Sequence, residues 1–288
     1  MHRIDELERQ NKLDCWAILY LSLTEGLSKE FGRQGEDAIR ESVRRFGNVT
    51  GSTIQNLILK DNIILDMETV ISYIKDNLMD PRFKEEVSQI NEEVYISDVY
   101  SCPLEHFWSL YSDNGLGKLF CEEFYHKFYE SIFFGKSQTN LSKILTNKCD
   151  NQCQFAVYFR RSNLSKDQTD YIKTKNEENS ELVYDLSEKT YLDLYFYFLE
   201  TSVEYFGEGG LRTIACSLRK TAQWTINYIR ERAKMTNENY DEEYFWKNHP
   251  LNIVIESSNN NLDTNKYNSR NLLETNFIEL VKDSFAEN

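Results

Sequence analysis

The sequence predicts an α+β protein, predominantly helical, in which one β-α-α-β-β module is combined with two related helical hairpins. Three observations predict it. Only 3 Pro and 11 Gly punctuate 288 residues, too few for a turn-rich all-β fold. Near both ends of the chain, apolar residues recur with helical period over long stretches. Between them lies a stretch whose apolar residues alternate as they do in strands. With 40% apolar and 14% aromatic residues, the chain has the material for a real core.

The first hairpin begins with an apolar-periodic helix from Leu13 to Phe31. Phe31-Gly32-x-x-Gly35 follows. Gly32 can take the left-handed conformation that stops a helix, and the glycine pair makes a tight turn. A second helix runs from Glu36 to Lys60. The same plan recurs at an offset of 175 residues, with a helix from Leu192 to Phe206, then Phe206-Gly207-x-x-Gly210, then a helix from Leu211 to Lys234. Residues 19–54 and 194–229 are identical at 11 of 36 positions without a gap, which marks a duplication. Its period is far too long for a solenoid. Glu25 and Glu200 match inside the first helix of each copy. A carboxylate there either bonds to the neighbouring helix, through Arg44 or Arg219, or serves a substrate.

The middle of the chain is different. Glu93–Tyr100 (EVYISDVY) alternates and is rich in β-branched and aromatic residues, so it reads as a strand. Cys102-Pro103 ends it, and Pro103 suits the first turn of a short helix through Tyr111. After an SDNG turn, Leu116–Phe134 is a helix with Leu119, Phe120, Phe124, Phe128 and Ile132 on its apolar side. Leu141–Thr146 and Cys153–Arg160 read as two more strands. Residues 162–180 are polar and read as a linker. Beyond Pro250, Leu251–Glu256 is a strand candidate, a polar tract follows, and Asn271–Phe285 is a final amphipathic helix. The resulting domains are 1–92, 93–161, a linker over 162–190, and a partial second repeat over 191–288.

Charge and patterning exclude several classes. A formal charge of −14 repels phosphates, so nucleic acid is not an expected partner. No apolar run reaches the roughly 18 residues that span a bilayer, and the charged N-terminus lacks the apolar core of a secretory signal. A cytoplasmic protein is expected, with its cysteines reduced. Wide apolar hairpin faces that need covering make a homo-oligomer plausible. Walker, GxGxxG, GxSxG and HExxH motifs are missing from the sequence.

Four of the six cysteines fall between Tyr100 and Phe159, together with His126. Three readings compete for them. In the first, Cys102 is a nucleophile. It sits directly before a Pro-initiated helix, where free N–H groups favour an anion. His126 then supplies the base, oriented by Glu122 one turn earlier, with His106 as an alternative. In the second, Cys102, Cys121, His126, Cys149 and Cys153 bind zinc, although Cys149 and Cys153 lack the C-x2-C knuckle spacing. In the third, they are small buried apolar residues. Cys15 and Cys216 read as structural, and His2 and His249 have no supporting context.

The order of these motifs resembles the L-2-amino-thiazoline-4-carboxylic acid hydrolase family. The resemblance covers residues 14–160. It rests on Phe31-Gly32 to Gly35, the strand into Cys102-Pro103, the helix carrying Cys121, and the Asn151-Gln152-Cys153-Gln154-Phe155 strand. The same cysteine pattern is similar to vinyl-reductase-type small-molecule-binding domains. The chain departs from the family where a Gly is expected before the last cysteine, since it has Cys149-Asp150-Asn151-Gln152, and in its second half-repeat. The resemblance implies hydrolysis of a small cyclic C–N/C–S substrate such as a 2-aminothiazoline carboxylate, by activated water or a Cys thiolate. By carry-over, Cys102, Cys121 and Cys153 are the site positions. Local reasoning adds His126 to Cys102 and Cys153 as catalytic groups, and Glu25 and Glu122 to Cys121 as substrate-binding groups. No cofactor is required, with zinc as the alternative. A binding module and a tailoring enzyme of a natural-product pathway are the competing functions.

Overall fold

The computed structural model describes residues 3–61, 64–77, 79–111, 115–147, 149–175, 186–251 and 268–286. It is predominantly helical with one four-stranded antiparallel sheet, the α+β class the sequence predicts. The chain forms two compact units, one from Met1–Ser42 and Asp185–Asn288, the other from Val43–Tyr184. Helix α1 (Arg3–Lys60) contributes to both.

The first unit is helical. It contains the start of α1, then α6 (Leu186–Phe206), α7 (Glu208–Thr236), α8 (Glu242–Asn248), α9 (Ser269–Leu273) and α10 (Glu279–Ala286). The hairpin turns are tighter than expected. Gly32 has φ 55° and ψ −128°, and Gly207 has φ 56° and ψ −130°. This is not the left-handed helical well. It is the conformation of the first central residue of a type II′ turn, which glycine adopts without strain. One residue therefore breaks the helix, and the next turn begins at once. Gly35 and Gly210 also match, since a Cβ on either would fall 2.2 or 2.1 Å from the carbonyl oxygen of Leu27 or Ser202. The duplication seen in the sequence is thus a duplication of backbone geometry.

The two copies pack on each other. The Phe31 and Phe206 rings stack with centroids 3.7 Å apart. Gly26 lets Ser217 approach, because a Cβ there would lie 2.3 Å from the Ser217 hydroxyl oxygen. Glu25 pairs with Lys220, whose ammonium also lies 4.2 Å from the Trp224 ring centroid. The expected partners of Glu25 are engaged elsewhere. Arg219 donates to Asn276 and Arg44 to Glu123. A buried polar knot closes the same unit. Asn11 donates to Asn248, while Tyr228 donates to Asp14 and Arg232 donates to Asn11. His249 is fully buried among Tyr191, Phe245, Trp246 and Phe277.

The second unit carries the sheet. Besides the end of α1 it contains α2 (Met67–Asn77), β1 (Lys84–Ile90), β2 (Val94–Ser101), α3 (Pro103–Tyr111), α4 (Leu116–Ile132), β3 (Ser137–Lys143), β4 (Cys153–Phe159) and α5 (Lys166–Lys175). The strand order is β1-β2-β4-β3, antiparallel throughout. Cys153, Phe155, Val157 and Phe159 of β4 are all buried, as period-two alternation requires. Against that face Tyr125 of α4 meets Phe155 edge-on at 4.8 Å, and Phe133 stacks on Phe159 at 4.2 Å.

Helix α1 clasps α4 over about three turns, from Arg44 to Gln55. Arg44 makes a bidentate pair with Glu123, at 2.6 and 3.0 Å. Gly47 and Gly51 bring the two backbones together, since Cβ atoms there would lie 2.9 Å from the Phe124 carbonyl oxygen and 2.3 Å from that of Phe128. Asn48 accepts from Ser131, and Gln55 donates to the carbonyls of Ser131 and Ile132 at the end of α4. The Ser131 carbonyl also accepts from the Phe134 amide, so it is the Ile132 carbonyl, one of the last in the helix, that Gln55 keeps from being left unpaired.

Several expectations change. The module is β-β-α-α-β-β, because β1 precedes the strand read from the sequence. The third strand lies at Ser137–Lys143 rather than Leu141–Thr146, and residues 145–147 turn instead. Part of the expected linker is helix α5. The final helix is interrupted by a π-helical turn at Glu274–Ile278, where Asn276 accepts from Arg219 and donates to the Leu272 carbonyl. Helices α2 and α8 were not expected. The strand candidate at Leu251–Glu256 and the tract after it, through residue 267, lie outside the described residues apart from Leu251.

Candidate small-molecule site

Helix α4 lies against the β3 edge of the sheet, and a cleft of about 370 Å³ opens between them. Lys118, Cys121, Glu122, Tyr125 and His126 line it from the helix, at spacings that repeat one helical face. Thr139, Leu141 and Ser142 line it from β3. The loop between β3 and β4 closes one end with Ile144, Asn147 and Asp150. That loop is self-bracing. The Asp150 carboxylate accepts from the Ile144 amide at 3.1 Å and from Asn147 at 3.0 Å. These bonds hold its pKa below the usual carboxylate value.

Behind the cleft the three carry-over cysteines come together. Cys102 caps the start of α3, where its sulfur accepts from the Glu105 amide at 3.5 Å. Cys153 begins β4 and accepts from the Leu145 amide at 3.2 Å. Cys121, one turn before Tyr125 on α4, faces the Thr146 hydroxyl at 3.8 Å. The thiols are close enough to raise one another's pKa. Burial is the larger cause. It pushes Cys102 up to about 12, against the pull of the Glu105 and Leu104 amides. Cys121 is raised well above the ordinary thiol value, by burial and then by Cys102 and Cys153, and Cys153 is raised by burial. The helix N-terminus expected to activate Cys102 is present, but desolvation outweighs it. All three are neutral thiols at neutral pH.

Tyr125 sits where the thiols and the cleft meet. Burial raises its phenol well above the ordinary value, and Cys102, Cys121 and Cys153 add to the shift. Among the described residues no hydrogen bond engages its hydroxyl. The Thr139 hydroxyl, on the opposite wall, is buried and also without a partner.

The other sequence candidates are dispersed. His126 is exposed and lines the cleft, and no hydrogen bond joins it to Cys102 among the described residues. Glu122 lies 3.6 Å from Lys118 across one helical turn, so the two cleft charges share one face. Glu25 belongs to the first unit and pairs with Lys220 there. Cys149 is exposed in the β3–β4 loop. Among the described residues, no three His, Cys, Asp or Glu side chains are grouped to hold a metal ion, and no helix is long and apolar enough to cross a membrane. Lys118, Tyr125 and Thr139 escaped sequence reasoning. The signal for the first two was their spacing around Cys121 on one helix face. Thr139 gave none, because its strand was misassigned.

Comparison with protein-family models, with curated proteins and with solved structures finds no match.

Proposed function

We propose that the second unit binds and hydrolyses a small cyclic molecule containing C–N and C–S bonds, of the 2-aminothiazoline carboxylate class, in the cytoplasm. The observation that carries this reading is the cleft in which His126, Lys118 and Glu122 share one face of α4. A water bound there gives a proton to His126 and adds to the carbon between nitrogen and sulfur. The proton taken by His126 passes to the ring nitrogen, whose C=N bond has become single. The C–S bond then breaks as the added hydroxyl becomes the carbonyl, its proton passes to the leaving sulfur, and an N-carbamoyl cysteine with a free thiol remains. Lys118 pairs with the substrate carboxylate, and Glu122 accepts from the exocyclic amino group. Activated water suits the site better than a thiolate, because Cys102 stays protonated near neutral pH. The partner is a small molecule, and the net charge of −14 disfavours nucleic acid.

The neutral thiols favour a second reading, a binding module without turnover. Thiol release from 2-aminothiazoline-4-carboxylate separates the two. The hydrolase releases thiol, His126→Ala abolishes release while melting like the wild type, and Cys102→Ala retains it. Binding of the compound without release supports the module. Neither binding nor release sinks both readings of this cleft.

A further inference from the structure

The geometry points to Tyr125 as the hydrogen-bond donor that the cleft offers to a ligand nitrogen or oxygen, with the three thiols serving to keep its hydroxyl free. This rests on the cleft being the ligand site proposed above. A phenol packed into a protein normally finds a partner for its O–H. Tyr125 has none among the described residues, although it lines an open cleft. Its immediate surroundings account for this. The Phe155 ring meets it edge-on, and Phe120 and Phe124 crowd its other sides. Its other neighbours are Cys102, Cys121, Cys153 and Tyr129, and among the described residues no hydrogen bond joins the Tyr129 hydroxyl to it.

Thiol sulfur is a weak acceptor. Each of these sulfurs already receives a donor, from the Glu105 amide, the Thr146 hydroxyl or the Leu145 amide. A carboxylate, amide or imidazole in any of these positions would take the phenol proton into an internal bond. Cysteines fill the space without doing so. An unengaged donor that a ligand satisfies on binding discriminates strongly, because a ligand lacking the acceptor leaves it buried and unpaired. The ligand therefore carries an acceptor heteroatom toward Tyr125.

Two measurements on the full-length protein test this. Binding of 2-aminothiazoline-4-carboxylate is measured by calorimetry on wild type, Tyr125→Phe and Cys121→Asn. Tyrosine ring-carbon NMR follows the Tyr125 signal, assigned by its loss in Tyr125→Phe. The expected result is binding weakened roughly tenfold in Tyr125→Phe. Cys121→Asn weakens it as well, by giving the phenol an internal acceptor. The Tyr125 signal moves on ligand addition in the wild type. Equal binding by wild type and Tyr125→Phe overturns the assignment and leaves the cleft as the ligand site. Absence of binding to the wild type overturns both.

Discussion

The rings of Phe31 and Phe206 lie face to face, 2° from parallel, and they occupy the same position in the two copies of the repeat. A residue stacking on its own duplicate is the mark of local twofold symmetry. The two glycines that follow them share φ and ψ within about 2° (φ 55° and 56°, ψ −128° and −130°). Symmetry of this kind makes the two turns mechanically equivalent. Gly32→Ala and Gly207→Ala should each cost about 2 kcal/mol, since neither residue can move to a relaxed φ without unstacking the rings. Urea unfolding of both variants checks this, and a loss in only one would contradict the equivalence.

Gly51 sets the distance between α1 and α4. The atom that an added methyl would strike is a backbone oxygen, which no side-chain rotation can clear. Gly51→Ala should lower stability by about 2–3 kcal/mol. Gly47→Ala, with more room, should cost less. A thermal melt ranks the two, and the reverse order would show that α4 is not held by this contact.

His249 predicts a pH dependence. Its Nδ1 accepts the Leu251 amide at 3.1 Å, its Nε2 is buried without a partner, and burial lowers its pKa from 6.5 to about 3. The folded state therefore binds a proton less readily than the unfolded chain. The contribution to stability is complete above the unfolded value of 6.5. It is lost progressively as pH falls toward about 3, with a slope of at most roughly 1.4 kcal/mol per pH unit. Carboxylates also titrate in the lower part of that window. The difference between wild type and His249→Gln from pH 6.5 to 5 isolates the histidine. Parallel stability curves over that interval would remove it as a cause.

The thiols differ in reactivity. Cys149 and Cys216 are exposed, whereas Cys102, Cys121 and Cys153 are buried or partly buried and raised in pKa. In native protein at pH 7.5, iodoacetamide should label Cys149 and Cys216 at least about tenfold faster than Cys102. Peptide mapping by mass spectrometry reads the order. Fast labelling of Cys102 would restore the thiolate as a candidate nucleophile.

What the sequence reveals follows the strength of local signals. The Phe-Gly turns, the Pro103 helix start and the buried strand at Cys153 each announce themselves within a few residues, and each is found. Strand β1 does not, because KEEVSQI is an edge strand whose charges protect it from pairing with other chains, and those charges hide it from a hydrophobicity pattern. The polar edge strand β3 is displaced for the same reason. The sequence leaves Glu25 either bonded to the neighbouring helix, through Arg44 or Arg219, or serving a substrate. Its partner, Lys220, depends on a register between helices that no local pattern encodes. Within the site, the cysteines stand out by clustering. The cleft does not, since it exists only where a helix face meets a strand edge.

The paired turns also bear on how such a chain can change. When two separate identical molecules meet, every substitution appears on both sides of the contact and must suit both at once. Here the two surfaces are encoded at different places in one chain. Phe31 and Phe206 can each be altered while the other stays, and Glu25 can keep Lys220 without the mirror-image pair having to match it. That independence permits one copy to be followed in the chain by a cysteine-lined cleft while the other, among the described residues, is followed only by helices.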